Sequence, residues 1–100
     1  MASTIVRYRV KPDRVEENVA LVKAVYAELA ELRPEGLHYA TVQLPDGVSF
    51  QHIVLDTENA GAILGTVDAF AAFQREIEDR CDEPPAPTPV TLIGSWGMGG

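Results

Sequence analysis

A chain of 100 residues with 46% hydrophobic and 23% charged side chains has room for one folded domain and lies in the ordinary globular range. Its 8 basic against 15 acidic residues, a formal charge of −7, repel phosphate backbones and anionic lipid, so nucleic acid and membrane are excluded as expected partners. The lone cysteine, Cys81, allows no internal disulfide, and no long apolar stretch follows Met1; the expectation is a single cytoplasmic domain spanning residues 1–100.

Residues 5–10 are rich in β-branched and aromatic side chains and stop at Lys11-Pro12, which predicts a strand. Asp13 is placed to cap the helix that follows, with Glu16 in the capping-box position. Val15, Val19, Val22, Tyr26 and Leu29 then recur at steps of three and four, one apolar stripe that ends before Pro34 and Gly36. Residues 37–44 and 48–55 read as two strands joined through Pro45-Asp46-Gly47, a turn with glycine in the left-handed position. A loop of that length sets Leu44 opposite Val48, His38 opposite Val54 and His52 opposite Ala40. Residues 56–65, with Asn59, Gly61 and Gly65, read as a loop; Thr66 would cap a second helix running to about Arg80, with Phe70, Phe73 and Ile77 inward. The proline-rich run over 82–89 predicts a stiff extended connection, residues 90–96 a last strand, and 98–100 a frayed tail.

That order, βαββαβ, gives a ferredoxin-like α+β fold: a four-stranded antiparallel sheet with two helices on one face. Neighbouring strand residues point to opposite faces, yet Ile5-Val6, Ile53-Val54-Leu55 and Leu92-Ile93 are apolar in sequence. Both faces therefore carry apolar side chains, and something must cover the one that the helices leave open. The expected partner is a second copy of this chain, in a C2 homodimer.

In this order of elements the chain resembles the dimeric α+β barrel proteins, including the antibiotic biosynthesis monooxygenase-like group. The likeness rests on residues 6–12 before the first helix, and on Phe70-Ala71-Ala72-Phe73 through Arg80-Cys81-Asp82-Glu83-Pro84-Pro85 to Gly94-Ser95-Trp96. It implies two sheets packed face to face and a flat aromatic pocket. It also implies an activity: cofactor-independent monooxygenases of that group hold polycyclic phenols whose anion gives an electron to oxygen, so no cofactor is expected. Other members bind ligands or have no assigned role, so a non-catalytic homodimer is the alternative. The asparagine and tryptophan that some members carry beside substrate or haem are not matched in position by Asn18, Asn59 or Trp96, and haem degradation is not implied.

The expected register puts His38 and His52 on one pleat with Ala40, Val42, Leu44, Phe50 and Val54. Such a pair can be hydrogen-bonded structural histidines, polar groups of a pocket, or two legs of a metal site. Only Asp56 offers a further ligand nearby, two steps along, so no metal is expected. His52 is the candidate catalytic group, a neutral imidazole able to accept a proton from a phenol or enol. Tyr8, His38, Tyr39, Phe50 and Trp96 are the candidate substrate-binding residues, for an aromatic or polyketide-like ligand. Phe70 and Phe73 read first as core. Arg7 and Arg9, central in the sheet, would serve as ion pairs across the dimer or as an anion site, and Cys81, beside Asp82 and Glu83, as an inert core thiol.

Overall fold

The computed structural model describes residues 3–55, 57–94 and 96. Strand β1 (Ser3–Val10) leads through a 3-10 turn at Pro12–Arg14 into helix α1 (Val15–Leu32). Strands β2 (His38–Gln43) and β3 (Ser49–Leu55) form the hairpin, and three short helices follow: α2 (Thr57–Leu64), α3 (Asp68–Gln74) and α4 (Ile77–Arg80). Strand β4 (Cys81–Val90) closes a four-stranded sheet of order β2-β3-β1-β4. Every neighbouring pair is antiparallel, with the helices on one face: the ferredoxin-like α+β fold. Tyr8 and Val10 of β1, Val25 of α1, Phe50 of β3, Phe73 of α3 and Cys81 of β4 form its buried core.

Helix α1 follows its apolar stripe and ends where expected. Arg33 takes the left-handed conformation (φ 47°), its N–H bonds back to the Leu29 carbonyl at 2.8 Å, and Pro34 prevents a further turn. Its start differs from the expected capping box. Pro12 draws the chain into a 3-10 turn closed by Arg14 N–H to Lys11 O at 2.8 Å, and Asp13 caps nothing.

The hairpin register is displaced by one residue from the expected one. Leu44 N–H pairs with Ser49 O at 2.9 Å, so Val48 belongs to the turn and Thr41, not Ala40, lies opposite His52. Asp46 causes this: its carboxylate accepts the Val48 N–H at 3.0 Å, the Ser49 N–H at 2.8 Å and the Ser49 hydroxyl at 2.6 Å. Those bonds hold its carboxyl below the usual range. Gly47 (φ 78°) supplies the left-handed step.

The second half of the chain departs further. The expected loop over 56–65 is mostly helix α2, because Ala60 and Leu64, one turn apart, are buried while Gly61 stays on the exposed side. Thr66 donates to the Ile63 carbonyl at 2.7 Å and so finishes α2 instead of capping a helix of its own. Helix α3 takes its cap from α1: the Glu28 carboxylate accepts the N–H groups of Asp68 (3.2 Å) and Ala69 (2.9 Å). The expected single helix then breaks at Arg75 and Glu76, the latter left-handed at φ 60°. Arg80 reaches back to the two carbonyls that the break frees, Phe73 O at 2.6 Å and Arg75 O at 3.0 Å.

The last strand is the proline run itself, not residues 90–96. β4 is an edge, and Pro87 and Pro89, two residues apart, turn their nitrogens to one side, which at an edge can be solvent. Pro84 and Pro85 fall where the β1–β4 register shifts, and a bulge tolerates a missing donor. Leu92, Ile93 and Trp96 beyond it are exposed.

On the face away from the helices, register and parity place Ile5, Arg7 and Arg9 of β1, Gln51, Ile53 and Leu55 of β3, and His38, Ala40 and Val42 of β2. Arg7 and Arg9 are exposed there, and Arg9 pairs with Glu83 at 3.4 Å, also exposed. That contact contributes little. Among the described residues, no helix is long and apolar enough to cross a membrane.

Candidate functional site

The register that Asp46 sets decides which side chains meet between sheet and helices. Val6 and Tyr8 of β1, His52 and Val54 of β3, and Tyr39 and Thr41 of β2 share the helix-facing pleat. Phe70 and Phe73 cross above them on α3, Leu64 on α2 and Ile77 on α4, with Pro85 at the β4 edge. They enclose a cavity of about 360 Å³ with Tyr8, Tyr39 and His52 in its wall. A second hollow of about 380 Å³ continues it under α2, sharing Val6, Val54, Leu64, Phe70 and Gln74. Volumes of a few hundred cubic ångströms suit a small organic ligand.

The wall is aromatic and its rings are close. His52 sits 5.2 Å from Phe73, 5.3 Å from Tyr8 and 5.6 Å from Tyr39, centroid to centroid, and Phe70 meets Tyr39 edge-on at 6.4 Å. Among the described residues no carboxylate or ammonium lines it. In a protein of charge −7 that is a pronounced local exception.

His52 is 4% exposed, and both ring nitrogens are engaged. Nε2 faces the Tyr8 hydroxyl at 2.9 Å; Nδ1 faces the Tyr39 hydroxyl at 2.5 Å and Thr41 Oγ1 at 3.1 Å. Thr41 Oγ1 in turn meets the Tyr26 hydroxyl at 2.8 Å. Behind Tyr8 the network goes deeper: Asn18 Nδ2 donates to the Tyr8 oxygen at 3.1 Å, and Arg80 Nε donates to Asn18 Oδ1 at 3.4 Å. Arg80, 1% exposed, also lies over the Phe73 ring at 5.5 Å.

Burial sets the protonation states. Desolvation pushes the His52 imidazole down to about 4, so it is neutral at pH 7. The same cause pushes the Tyr8 phenol up to about 12 and raises those of Tyr39 and Tyr26, so all three stay protonated. A neutral imidazole between phenols can orient a hydroxyl. As a base it is weak, since a group titrating near 4 is poorly matched to a free phenol near 10.

Of the sequence candidates, Tyr8, Tyr39 and His52 meet at the cavity. Phe50 does not line it; it stacks on Tyr8 from the far side, 5.6 Å between rings. The expected His38–His52 pair does not form, because the one-residue register change puts His38 opposite Leu55 on the other face. Trp96, 96% exposed, stands outside the site, and Asp56 lies outside the described residues. Among the described residues, no group of three or more His, Cys, Asp or Glu could hold a metal. Cys81 is buried in the core, and burial raises its thiol, which keeps it unreactive.

Asn18 and Arg80 were missed as site residues, although both leave a signal in the sequence. Asn18 sits within the Val15–Val19–Val22 stripe of α1, and Arg80 continues the Phe73–Ile77 stripe. A polar group on an apolar stripe needs a buried partner.

No protein-family model matches the chain, and no curated protein matches it. Solved structures do. A protein from Nitrosomonas europaea assigned by name to the antibiotic biosynthesis monooxygenases superposes with a TM-score of 0.76 at 19% identity, covering 94% of this chain and 100% of its own. A conserved protein from Methanosarcina mazei gives 0.70 at 19% identity, over 90% and 91% of the two chains. SnoaB, a cofactor-independent oxygenase from Streptomyces nogalater, gives 0.67 at 14%, over 97% of each. The fold is therefore that of the antibiotic biosynthesis monooxygenase-like structures, as the sequence resemblance implied.

Proposed function

We propose that this chain, as a cytoplasmic homodimer, binds a small aromatic or polyketide-like compound bearing a phenol or enol in the cleft beneath α2–α4. We propose further that it acts there as a cofactor-independent monooxygenase or isomerase. The observation that carries the reading is the cavity of about 360 Å³ whose wall combines the rings of Phe70 and Phe73 with the hydroxyls of Tyr8 and Tyr39 around His52. Rings hold a flat substrate by stacking, and a hydroxyl of the wall fixes its oxygen. The likeness to SnoaB, an oxygenase that needs no cofactor, supports the same chemistry. So does the lack of a carboxylate among the described residues of the wall, since none of them opposes an electron-rich substrate anion with like charge. In such a reaction the ionised carbon gives electrons to dioxygen; a ring CH2 becomes a carbonyl, one oxygen atom stays on carbon and the other leaves as water.

One specific observation favours the alternative of binding without turnover: an imidazole held near 4, with a hydroxyl on each nitrogen, is a poor base for generating the anion. His52 then orients Tyr39, and the substrate must arrive ionised or ionise easily.

The test is a panel of hydroxylated two- and three-ring compounds, followed by ligand-induced melting shift and oxygen uptake. Wild type should respond to at least one compound, and Val54→Phe, which fills the cavity floor, should weaken that response about tenfold or more. Equal responses from both proteins would remove the cavity as the site, and oxygen uptake indistinguishable from buffer with bound compounds would leave the binding protein.

A further inference from the structure

Deepening that reading, and resting on the cavity being a ligand site, one feature of the network sets which way its protons point. Arg80 has donors only, so the Asn18 oxygen must face it and the Asn18 amide must face Tyr8. The Tyr8 oxygen therefore already accepts a hydrogen bond. Its own proton has one acceptor in reach among the described residues, His52 Nε2 at 2.9 Å. A neutral imidazole carries a single proton, so Nε2 as acceptor requires N–H at Nδ1, and that proton points to the Tyr39 oxygen. Tyr39 is left with a proton of its own at the cavity wall, resting on neighbouring Thr41 until a better acceptor arrives. The opposite polarity would leave the Tyr8 proton buried with no partner, at 2% exposure.

We propose that the buried chain Arg80–Asn18–Tyr8 locks His52 as its Nδ1–H tautomer, making Tyr39 a hydrogen-bond donor to the cavity, and that the site selects ligands through an anionic oxygen, a phenolate or enolate. Asn18, Tyr8 and Arg80 are positioning residues here, and Tyr39 is the group that touches the ligand. The charges agree with the polarity. Among the described residues no carboxylate is within ion-pair range of Arg80. Glu17, which feels its field, has both oxygens on Arg14 at 2.8 and 2.9 Å. A cation buried without a counter-charge favours an anion at the far end of the network that it polarises.

Asn18→Asp tests the lock with almost no change of shape. The new carboxylate faces Arg80 and accepts the Tyr8 proton, so the Tyr8 oxygen must accept from Nε2–H and the Tyr39 proton must turn inward to Nδ1. Heteronuclear NMR of isotopically labelled, unliganded protein reads the tautomer directly. The expected result is Nδ1–H in wild type and Nε2–H in Asn18→Asp; Nε2–H in wild type, or no change in a folded variant, would overturn the lock. The ligand class is read with para-nitrophenol, whose neutral and ionised forms absorb at different wavelengths. Wild type should bind the ionised form and lower the probe's apparent ionisation point, and Asn18→Asp and Tyr39→Phe should each weaken phenolate binding about tenfold. Preference for the neutral form would overturn the ligand class. Binding of neither form at millimolar probe would sink both the ligand class and the cavity's proposed role, while the tautomer stands or falls on the NMR alone.

Discussion

Acid should destabilise this protein in part through one buried residue, and the size of that contribution follows from where His52 sits. Its imidazole is buried neutral, titrating near 4 in the fold against about 6.5 in an unfolded chain. Between those values the unfolded state binds a proton that the folded state refuses, so stability is full above pH 6.5 and falls as the pH drops towards 4. Each unit of that window is worth about 1.4 kcal/mol, so some 2.5 units give roughly 3 kcal/mol in all, of which about 2 kcal/mol is lost by pH 5. Urea unfolding at fixed protein concentration between pH 7.5 and 5 measures this. His52→Gln cannot take up the proton and should show a flatter curve, the difference between the two proteins growing by about 2 kcal/mol across the range. The carboxyls of Asp46 and Glu17, both held low, are common to the two proteins and cancel. Parallel curves would refute the reasoning: His52 would then be titrating like an exposed histidine, and the buried network around it would be wrong.

Removing the Asp46 carboxylate by Asp46→Ala should free the Val48 and Ser49 amides, with hydrogen exchange there rising about tenfold while α1 is unaffected. Ile53→Asp places a charge in the open sheet face and should convert a homodimer to monomer in sedimentation; a wild type already monomeric at micromolar concentration would defeat the dimer proposal. Purified without a tag, the protein should carry less than about a tenth of an equivalent of zinc, iron or copper by elemental analysis, and a full equivalent would contradict the expected absence of a metal.

The element order could be read from sequence because it depends on patterns that are local and strong. Residues 15–32 repeat apolar side chains at helical steps and are followed by Pro34; the two hairpin strands are punctuated by Pro45-Asp46-Gly47. The second half was harder to read because tertiary partners override local signals there. Gly61 and Gly65 read as a loop, yet Ala60 and Leu64 gain enough by burial to hold a helix. Thr66 looks like a cap, but the cap of α3 comes from Glu28, forty residues away in sequence. The proline run looks incompatible with a sheet, and is so only for a strand paired on both sides; β4 has a neighbour on one.

The site turned on a smaller quantity, a single residue of register. Pleat parity means that one step exchanges the two faces of a strand pair, so the turn decides whether His52 shares a surface with His38 or with Tyr39. The sequence reading names Tyr8 and His52 together, and β1 and β3 keep their own alternation whatever the turn does, but it pairs His52 with His38 in place of Tyr39 and Thr41. What selects the true register is the Asp46 side chain, which uses both oxygens to draw Val48 into the turn. Turn propensity already assigns aspartate to that position and cannot separate a loop that ends before Val48 from one that includes it. The distinction lies in whether the carboxylate caps the amides after the glycine, a three-dimensional fact. The consequence reaches the chemistry. With Ala40 opposite, His52 would face the cavity with a free nitrogen and could serve as a base. With Thr41 opposite and Tyr39 beside it, the ring is held on both sides and hands its influence on to a phenol.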